Sequence, residues 1–368
     1  MTKPNQQRPT PGEAEARPRQ GELSERDRAI LKAVILAYMV EAEPVSSRSV
    51  AKRSDLGLSP ATIRNVMADL ADTGYLSQPH TSAGRVPTSA AYHLFIEEMM
   101  VGSSLPAPLR RYIRDHLRTP PGDADELMEA TTHLLSELSS QVGIVVTPAM
   151  GETVLKAVDF VPLSGRRVLC VVVSSGGFVD NKVVETEEPV DRETLVEIGN
   201  YLNEHYAGQT LRQIRDRLLS AMGEERVQMD RLMALAIELA RSGFDFEASE
   251  PRVLHEGTSS LLHQPELADL GRVRQLLDTF ANHNHLVHLL NQCIQGAGVR
   301  VTIGEESPLT SALDFSLVAT TYGVGDEVLG SLGIFGPSRM EYQKVVPLVH
   351  YLGETLSSTL AEVYGRER

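Results

Sequence analysis

Three short helices, each with its own start and stop signals, are predicted within residues 24 to 74. The first opens with a capping box, in which Ser24 is the N-cap and Asp27 stands three residues later. Apolar residues then recur at helical spacing, and the helix is expected to end before Pro44, which a helix interior does not tolerate. Such closely spaced boundaries restrict this part of the chain to short helices packed into a small unit.

The second and third helices follow after tight turns. Residues 46–53 are predicted to form the second helix. The chain cannot continue this helix beyond Leu56-Gly57, because glycine commonly follows a helix end. Ser59-Pro60 starts the third with a hydroxyl cap and a proline in the first helical position, and Gly74 stops it. A turn-rich stretch over residues 78–84, between Tyr75-Leu76 and Arg85-Val86, then predicts a small β-hairpin. Three helices plus a hairpin predict a winged helix-turn-helix.

The third helix has two distinct faces when its residues are placed at 100° steps. Its apolar face contains Ile63, Val66, Met67 and Leu70, and its outward face contains Ala61, Asn65 and Ala68 with Thr62 and Arg64 at the flanks. Small outward residues let a helix backbone approach the major groove, an asparagine can pair with adenine, and an arginine can reach guanine or phosphate. The helix therefore fits DNA recognition, although a surface helix in a protein-interaction module is the plainer alternative.

Further polar residues are predicted to contact the DNA backbone. Ser46, Ser47 and Arg48 begin the second helix, where hydroxyl groups and a cation suit a phosphate. On the predicted wing, Arg85 follows a glycine and lies close in sequence to His80, Thr81 and Ser82, so that it can follow a phosphate or the minor groove.

Net charge does not exclude DNA binding once its distribution is considered. The chain has 35 Lys and Arg against 49 Asp and Glu, a net charge of −14. Residues 1–22 carry 4 basic and 3 acidic side chains, residues 23–100 carry 8 and 9, and residues 101–368 carry 23 and 37. The excess acid is therefore C-terminal, and a nearly neutral N-terminal region can bind DNA locally.

The remaining chain predicts a multidomain α+β protein. Residues 1–22 are predicted to be a disordered tail, 23–102 the winged-helix domain, and residues 102 to 108 a linker. Strand patterns dominate 103–185 and 266–368, whereas 186–265 is mainly helical, which predicts an α+β domain interrupted by an insertion. No apolar run approaches the ~18 residues of a membrane-spanning helix, and no signal peptide is evident, so a cytoplasmic protein without a membrane partner is expected.

Catalytic and metal sites find little support in the sequence. His283, His285 and His288 form a cluster, but on a helix only two of them share a face, so no metal ligands are assigned. Cys170 and Cys293 lie in apolar segments and are expected in the core, and the glycines of 323–330 fit a hairpin turn. No nucleophile and base arrangement is evident, so no catalytic residue and no cofactor are predicted.

Several long motifs resemble one family. They are Glu43-Pro44-Val45, Leu58 to Asn65, Gly74-Tyr75-Leu76, Gln78 to Thr88, Val301 to Glu306 and Gly333 to Tyr342. Together they resemble the heat-inducible transcription repressor family HrcA. The resemblance implies a winged-helix domain and a GAF-like domain interrupted by a dimerising insertion.

The resemblance also implies a function and the residues that carry it. Family members bind an inverted-repeat operator, CIRCE, as dimers ahead of groE- and dnaK-type chaperone operons, and the chaperonin GroEL supports their DNA-binding state. Ser59, Thr62, Arg64 and Asn65 take the recognition-helix roles, and Arg85 with its neighbours the wing. Two alternatives remain: a winged-helix regulator whose GAF-like domain senses a small molecule, and a metal-dependent hydrolase that uses the histidine cluster.

Overall fold

The computed structural model describes residues 23–80, 83–99, 104–118, 124–223, 231–244, 251–281, 286–287, 290, 298–311, 313–325 and 327–364. The chain divides into two compact units, residues 1–101 and residues 102–368. Unit 1 contains α1 (Glu25–Glu41), α2 (Ser47–Arg53), α3 (Pro60–Asp72), β1 (Leu76–Ser77), β2 (Val86–Pro87) and α4 (Ser89–Met99). Among the described residues, no helix combines the length and apolarity needed to cross a membrane.

Unit 1 forms around a core supplied by all three N-terminal helices. The capping box of α1 is present: the Asp27 amide donates to Ser24 Oγ at 3.2 Å, and the Ser24 amide donates to Asp27 Oδ2 at 3.3 Å. Of the apolar side chains that the helical spacing grouped on one face, Tyr38 is half-buried and the others are buried, namely Leu31, Val34, Ile35, Ile63, Val66, Met67 and Leu70. The strands β1 and β2 pair antiparallel and complete the winged helix.

Unit 2 mixes helices with two separate sheets. Its helices are α5 (Ala107–Arg118), α6 (Ala124–Ser139), α7 (Arg192–Tyr206), α8 (Leu211–Gly223), α9 (Arg231–Gly243), α10 (Thr258–Leu261), α11 (Leu270–Ala281), α12 (Pro308–Ser311) and α13 (Tyr342–Tyr364). Its strands are β3 (Val142–Val146), β4 (Leu155–Pro162), β5 (Arg167–Ser174), β6 (Val179–Glu185), β7 (Val253–Glu256), β8 (Arg300–Ile303), β9 (Phe315–Val324) and β10 (Glu327–Pro337).

The larger sheet has five antiparallel strands in the order β7-β3-β10-β9-β8. Helices α6 and α13 cover one face closely, because glycines stand at the contacts: a Cβ on Gly143 would lie 2.5 Å from the Thr132 carbonyl oxygen, and one on Gly353 would lie 2.6 Å from Thr320 Cγ2. Side chains of α10 and α11 join the apolar cluster on the other face. The sheet is therefore buried between helical layers.

The smaller sheet, in the order β4-β5-β6, forms a module with α7, α8 and α9. Helix α7 lies along β4, where the Asn203 side chain accepts from the Val158 amide at 2.8 Å and donates to its carbonyl at 3.0 Å. This module begins earlier in the chain than residue 186, where the helical pattern alone placed the insertion, and β7 has already returned to the larger sheet before residue 265. The pattern of a strand reveals its faces but not its pairing partners.

Helix α5 has no counterpart in the sequence-based prediction. Its first residues, Ala107 and Pro108, fall within the predicted linker, and only Ile113 and Leu117 are fully buried. Two buried apolar residues among many arginines make a weak periodic signal, which explains the omission.

Candidate nucleic-acid interface

The local sequence orients α3. The Thr62 amide donates to Ser59 Oγ at 3.1 Å, and the Ser59 and Thr62 hydroxyl oxygens lie 2.9 Å apart. Pro60 occupies the first turn, as predicted. Ser59 and half-buried Thr62 thus begin the helix, and their hydroxyl groups are engaged with each other.

The outward face of α3 agrees with the prediction. Ile63, Val66, Met67 and Leu70 are buried, whereas Ala61, Arg64 and Asn65 are exposed and Ala68 is half-buried. No hydrogen bond or ion pair within the described residues engages Arg64 or Asn65. Asp69 and Asp72 lie nearer the C-terminal end, so the cation and the amide lie toward the N-terminal turns. A groove-reading helix needs free polar ends on small neighbours, and this face provides them.

Helix α2 presents a different arrangement from the one that its sequence suggested. The Ser46 side chain is the N-cap and accepts from the Ser49 amide at 3.1 Å, and Arg48 is exposed. Ser47 is only 8% exposed, so its hydroxyl does not lie on the surface with those two residues. The geometry supports Arg48 as a phosphate contact better than Ser47.

The wing is held against the segment before α2. Val45 and Arg85 exchange backbone hydrogen bonds of 2.9 and 2.8 Å, and Gln78 donates its side-chain amide to the Ala83 carbonyl at 3.0 Å. Half-buried Arg85 has its Nε shielded and without a hydrogen-bond partner among the described residues. His80 is exposed at the tip, and the predicted contacts Thr81 and Ser82 lie outside the described residues.

Two residues hold the wing in place that the sequence reasoning did not assign to this role. Thr88 Oγ1 donates to the Gly74 carbonyl at 2.8 Å and connects the end of β2 to the end of α3. Gly84 faces Val45 so closely that a Cβ would lie 2.3 Å from its carbonyl oxygen. A glycine directly before the wing arginine was the available signal for this close approach.

We expect Gly84→Ala to displace the wing, because the added carbon overlaps backbone rather than a flexible side chain. Breaking both Val45–Arg85 hydrogen bonds should lower the free energy of unfolding by about 1–3 kcal/mol and weaken DNA binding. Thermal unfolding and an operator titration check both effects. The same substitution at Gly271 is the control, because the three atoms nearest to a Cβ there all belong to the Asp269 side chain. Wild-type stability and affinity in Gly84→Ala would contradict this role.

The comparisons with known proteins agree with this geometry. The family model described as "Winged helix-turn-helix transcription repressor, HrcA DNA-binding" matches residues 22–100, and "HrcA protein C terminal domain" matches residues 125–346. The chain belongs to the HrcA family. Its members are named heat-inducible transcription repressors, so this chain is a DNA-binding repressor and not an enzyme.

Individual relatives cover nearly the whole chain. The heat-inducible transcription repressor HrcA of Geobacter sulfurreducens is 40% identical over 339 residues, which are 92% of this chain and 98% of the relative. The HrcA protein of Nitrosomonas eutropha is 38% identical over 92% of this chain and 100% of its own length. A crystal structure titled only as a hypothetical protein is 26% identical, with a TM-score of 0.58 over 93% of this chain and 98% of that one.

The histidines, cysteines and glycines that the sequence analysis considered for metal or catalytic sites form no such site within the part of the chain that the structure describes. His283, His285, His288 and Cys293 lie outside the described residues, and the described ones include no group of three or more His, Cys, Asp or Glu side chains suited to a metal. Burial raises the pKa of the Cys170 thiol to about 12, so this thiol is protonated and unreactive at neutral pH. Val324 ends β9 and Glu327 begins β10, and the two strands pair antiparallel, so the predicted hairpin connects them; residue 326 lies outside the described residues.

The side chain of Arg339 is bound to other residues of unit 2. Its Nε donates to Glu266 Oε1 at 2.6 Å, and Nη2 donates to Gln264 Oε1 at 2.9 Å. The side chains of Arg339 and Glu266 are only 16% and 12% exposed. This ion pair links the segment after β10 to the residues before α11, so Arg339 supports unit 2 internally.

Proposed function

We propose that the chain is a homodimeric repressor that binds the CIRCE inverted repeat ahead of groE- and dnaK-type chaperone operons in the cytoplasm. The observation that carries this proposal is the exposed Arg64 and Asn65, without partners among the described residues, on the outward face of α3 in a unit that matches the HrcA DNA-binding model. One short helix reads too few bases for useful specificity, whereas two copies related by a two-fold axis double the base readout on a palindrome.

The proposal assigns the DNA-binding residues by role. Thr62, Arg64 and Asn65 read bases, with Ser59 as the cap that orients them. Ser46, Arg48 and His80 approach the backbone, with the residues at 81 and 82 beside them, and Arg85 supplies the wing cation. The position of Arg85 on the wing, where its backbone is bound to Val45 and its side chain is half-buried, supports this role.

Dimerisation is assigned to the inserted module, and the domain of the five-stranded sheet is the proposed GAF-like domain. One face of the β4-β5-β6 sheet supports this assignment. We call it the outer sheet face; register and alternation place on it Ala157, Asp159, Val161, Leu169, Val171, Val173, Val179, Asn181 and Val183. Most of these residues are apolar, yet Val161, Val179 and Val183 are 41%, 50% and 51% exposed. An exposed apolar sheet face of this kind marks an interface.

A second copy of the chain is the occupant that fits this face. A flat apolar face can meet its own symmetry mate, which is how an isologous two-fold interface forms. One face of three short strands buries less than the ~800 Å² per partner of a standard interface. We therefore expect the bordering helix α7, where Val196 is 44% exposed, to extend the interface. A cavity of about 290 Å³ between α7 and Val171 and Val173 offers space for a partner side chain.

The chaperonin GroEL is the proposed regulator of the DNA-binding state. When unfolded proteins occupy the chaperonin during heat shock, the repressor loses its support and the chaperone operons are derepressed. This part of the proposal rests on family membership.

Fluorescence anisotropy at one stated salt concentration tests the proposal. We expect a large preference for a duplex with the intact inverted repeat over a duplex scrambled in one half-site. Equal binding to both duplexes that persists when chaperonin is added would refute operator recognition. A preference that develops only with chaperonin would support both parts of the proposal.

A further inference from the structure

Helix α5 carries positive charge within an acidic unit. Residues 101–368 contain 23 basic and 37 acidic side chains, whereas α5 has Arg110, Arg111, Arg114 and Arg118 against the single carboxylate of Asp115. A cluster of cations on an otherwise acidic domain concentrates the attraction for an anionic partner at one place.

The arginines of α5 are presented to solvent by the way the helix packs. Ile113 and Leu117 are buried, and α5 contacts α6 and α13. Arg111, Arg114 and Arg118 are spaced by three and four residues, so they share one face of the helix, and all three are exposed. We call this face the α5 arginine face.

A tyrosine on α13 fixes the centre of the α5 arginine face. Arg114 Nη2 donates to Tyr351 Oη at 3.3 Å, and the Tyr351 hydroxyl donates to the Arg110 carbonyl at 3.3 Å. Arg111 and Arg118 on either side have no ion pair with a described residue. Two free guanidinium groups therefore flank one that is already oriented.

The dimensions of this face match a nucleic-acid strand. Seven helical steps from Arg111 to Arg118 cover about 10 Å, which is about the advance of three phosphates of one strand measured along the axis of a DNA duplex. Arginine binds phosphate oxygens through two parallel hydrogen bonds. The chain reaches α5 at Ala107 soon after α4 ends at Met99, so the α5 arginine face follows the winged-helix unit closely along the chain.

We propose that the α5 arginine face is a second DNA-binding surface, which contacts phosphates of the operator duplex independently of base sequence. It adds affinity and salt dependence to the base recognition by α3. The inference rests on the proposed operator binding for its biological setting, but not for its physical test.

The test compares two charge-matched double variants by anisotropy over a series of salt concentrations. Arg111→Gln/Arg118→Gln removes the two free cations and leaves the Arg114–Tyr351 hydrogen bond intact. Arg217→Gln/Arg241→Gln removes two exposed arginines from α8 and α9 of the inserted module. Circular dichroism confirms that each variant is folded. Each protein is measured on the repeat alone and on the repeat extended by about ten base pairs, one helical turn, on both sides.

We expect the α5 variant to have a shallower dependence of log K on log salt. The slope should fall by about 0.9 for each phosphate that an arginine no longer neutralises, or about 1.8 for each bound protomer. The preference for the intact repeat should be unchanged, and the control variant should keep the wild-type slope. A shallower slope on both duplexes would support binding within the repeat, and a shallower slope on the extended duplex alone would support binding to the flanks.

An unchanged slope in the α5 variant on both duplexes would overturn the inference. An equal change in the control variant would also overturn it, because net charge rather than α5 would then be responsible. Failure of the proposed function gives a different result: the wild-type protein would not prefer the intact repeat, while the contribution of α5 to the slope could still be measured on either duplex.

Discussion

Replacing Arg64 or Asn65 by alanine should weaken binding to the inverted repeat by about 1–3 kcal/mol at each half-site. Both side chains are exposed on α3, and neither has a partner among the described residues, so each is free to pair with a base edge. In a symmetric dimer each substitution acts at both half-sites, which makes this the largest expected effect on recognition. Anisotropy with duplexes altered at single positions should also show relaxed base preference.

Two further variants separate base reading from general attraction. Arg26→Ala removes one exposed charge from α1 and should leave operator affinity nearly unchanged. Arg85→Ala should weaken binding to intact and scrambled duplexes alike and flatten the salt dependence, because a wing arginine contacts the backbone. Wild-type operator affinity in the Arg64, Asn65 and Arg85 variants together would remove α3 and the wing from the DNA interface.

Helix α3 could be predicted because its signals are local. A cap such as Ser59 and its target amide at Thr62 lie three residues apart, so the hydrogen bond that starts α3 is determined within one turn. The faces follow from the 3.6-residue period, which correctly separated buried Met67 from exposed Arg64 and Asn65.

The details of the wing and of α2 depend on contacts that local sequence does not contain. Gly84 is restricted by the carbonyl oxygen of Val45, which lies far away along the chain, and the burial of Ser47 depends on how α2 packs against its neighbours. A hydroxyl at a helix start suits a phosphate and a buried turn equally well. Sequence reasoning therefore found the elements but could not separate these two environments.

Strand pairing in unit 2 shows the same limit over longer distances. The runs that become β3 and β4 both have strand patterns, yet β3 pairs with β7 and β10, whereas β4 pairs with β5 in another sheet. Alternation along β5 does divide its residues into buried Val168, Cys170 and Val172 and partly exposed Leu169 and Val171. The sequence therefore shows that both faces of β5 are apolar. It does not show the strand pairing that leaves one of these faces exposed.

The double variant Val179→Lys/Val183→Lys should dissociate the proposed dimer. Both side chains are about half exposed on β6, so lysine can be accommodated in the monomer. Across a two-fold interface four valines would lose burial of about 1 kcal/mol each, or about a thousandfold in the dimer dissociation constant, and the buried ammonium groups would add to the loss. Analytical ultracentrifugation over a concentration series measures this constant.

A matched control determines whether the outer sheet face itself is responsible. Val328 at the start of β10 is 51% exposed, the same as Val183, so Val328→Lys adds charge at equal exposure outside the inserted module. We expect this control to remain dimeric and to bind the inverted repeat, while the double variant sediments as a monomer with native circular dichroism and no longer distinguishes the intact repeat from one scrambled in a half-site. A double variant that dimerises like the wild type would place the interface elsewhere. Because recognition of an inverted repeat requires two winged helices held together, loss of the dimer and loss of half-site discrimination should occur over the same range of protein concentration.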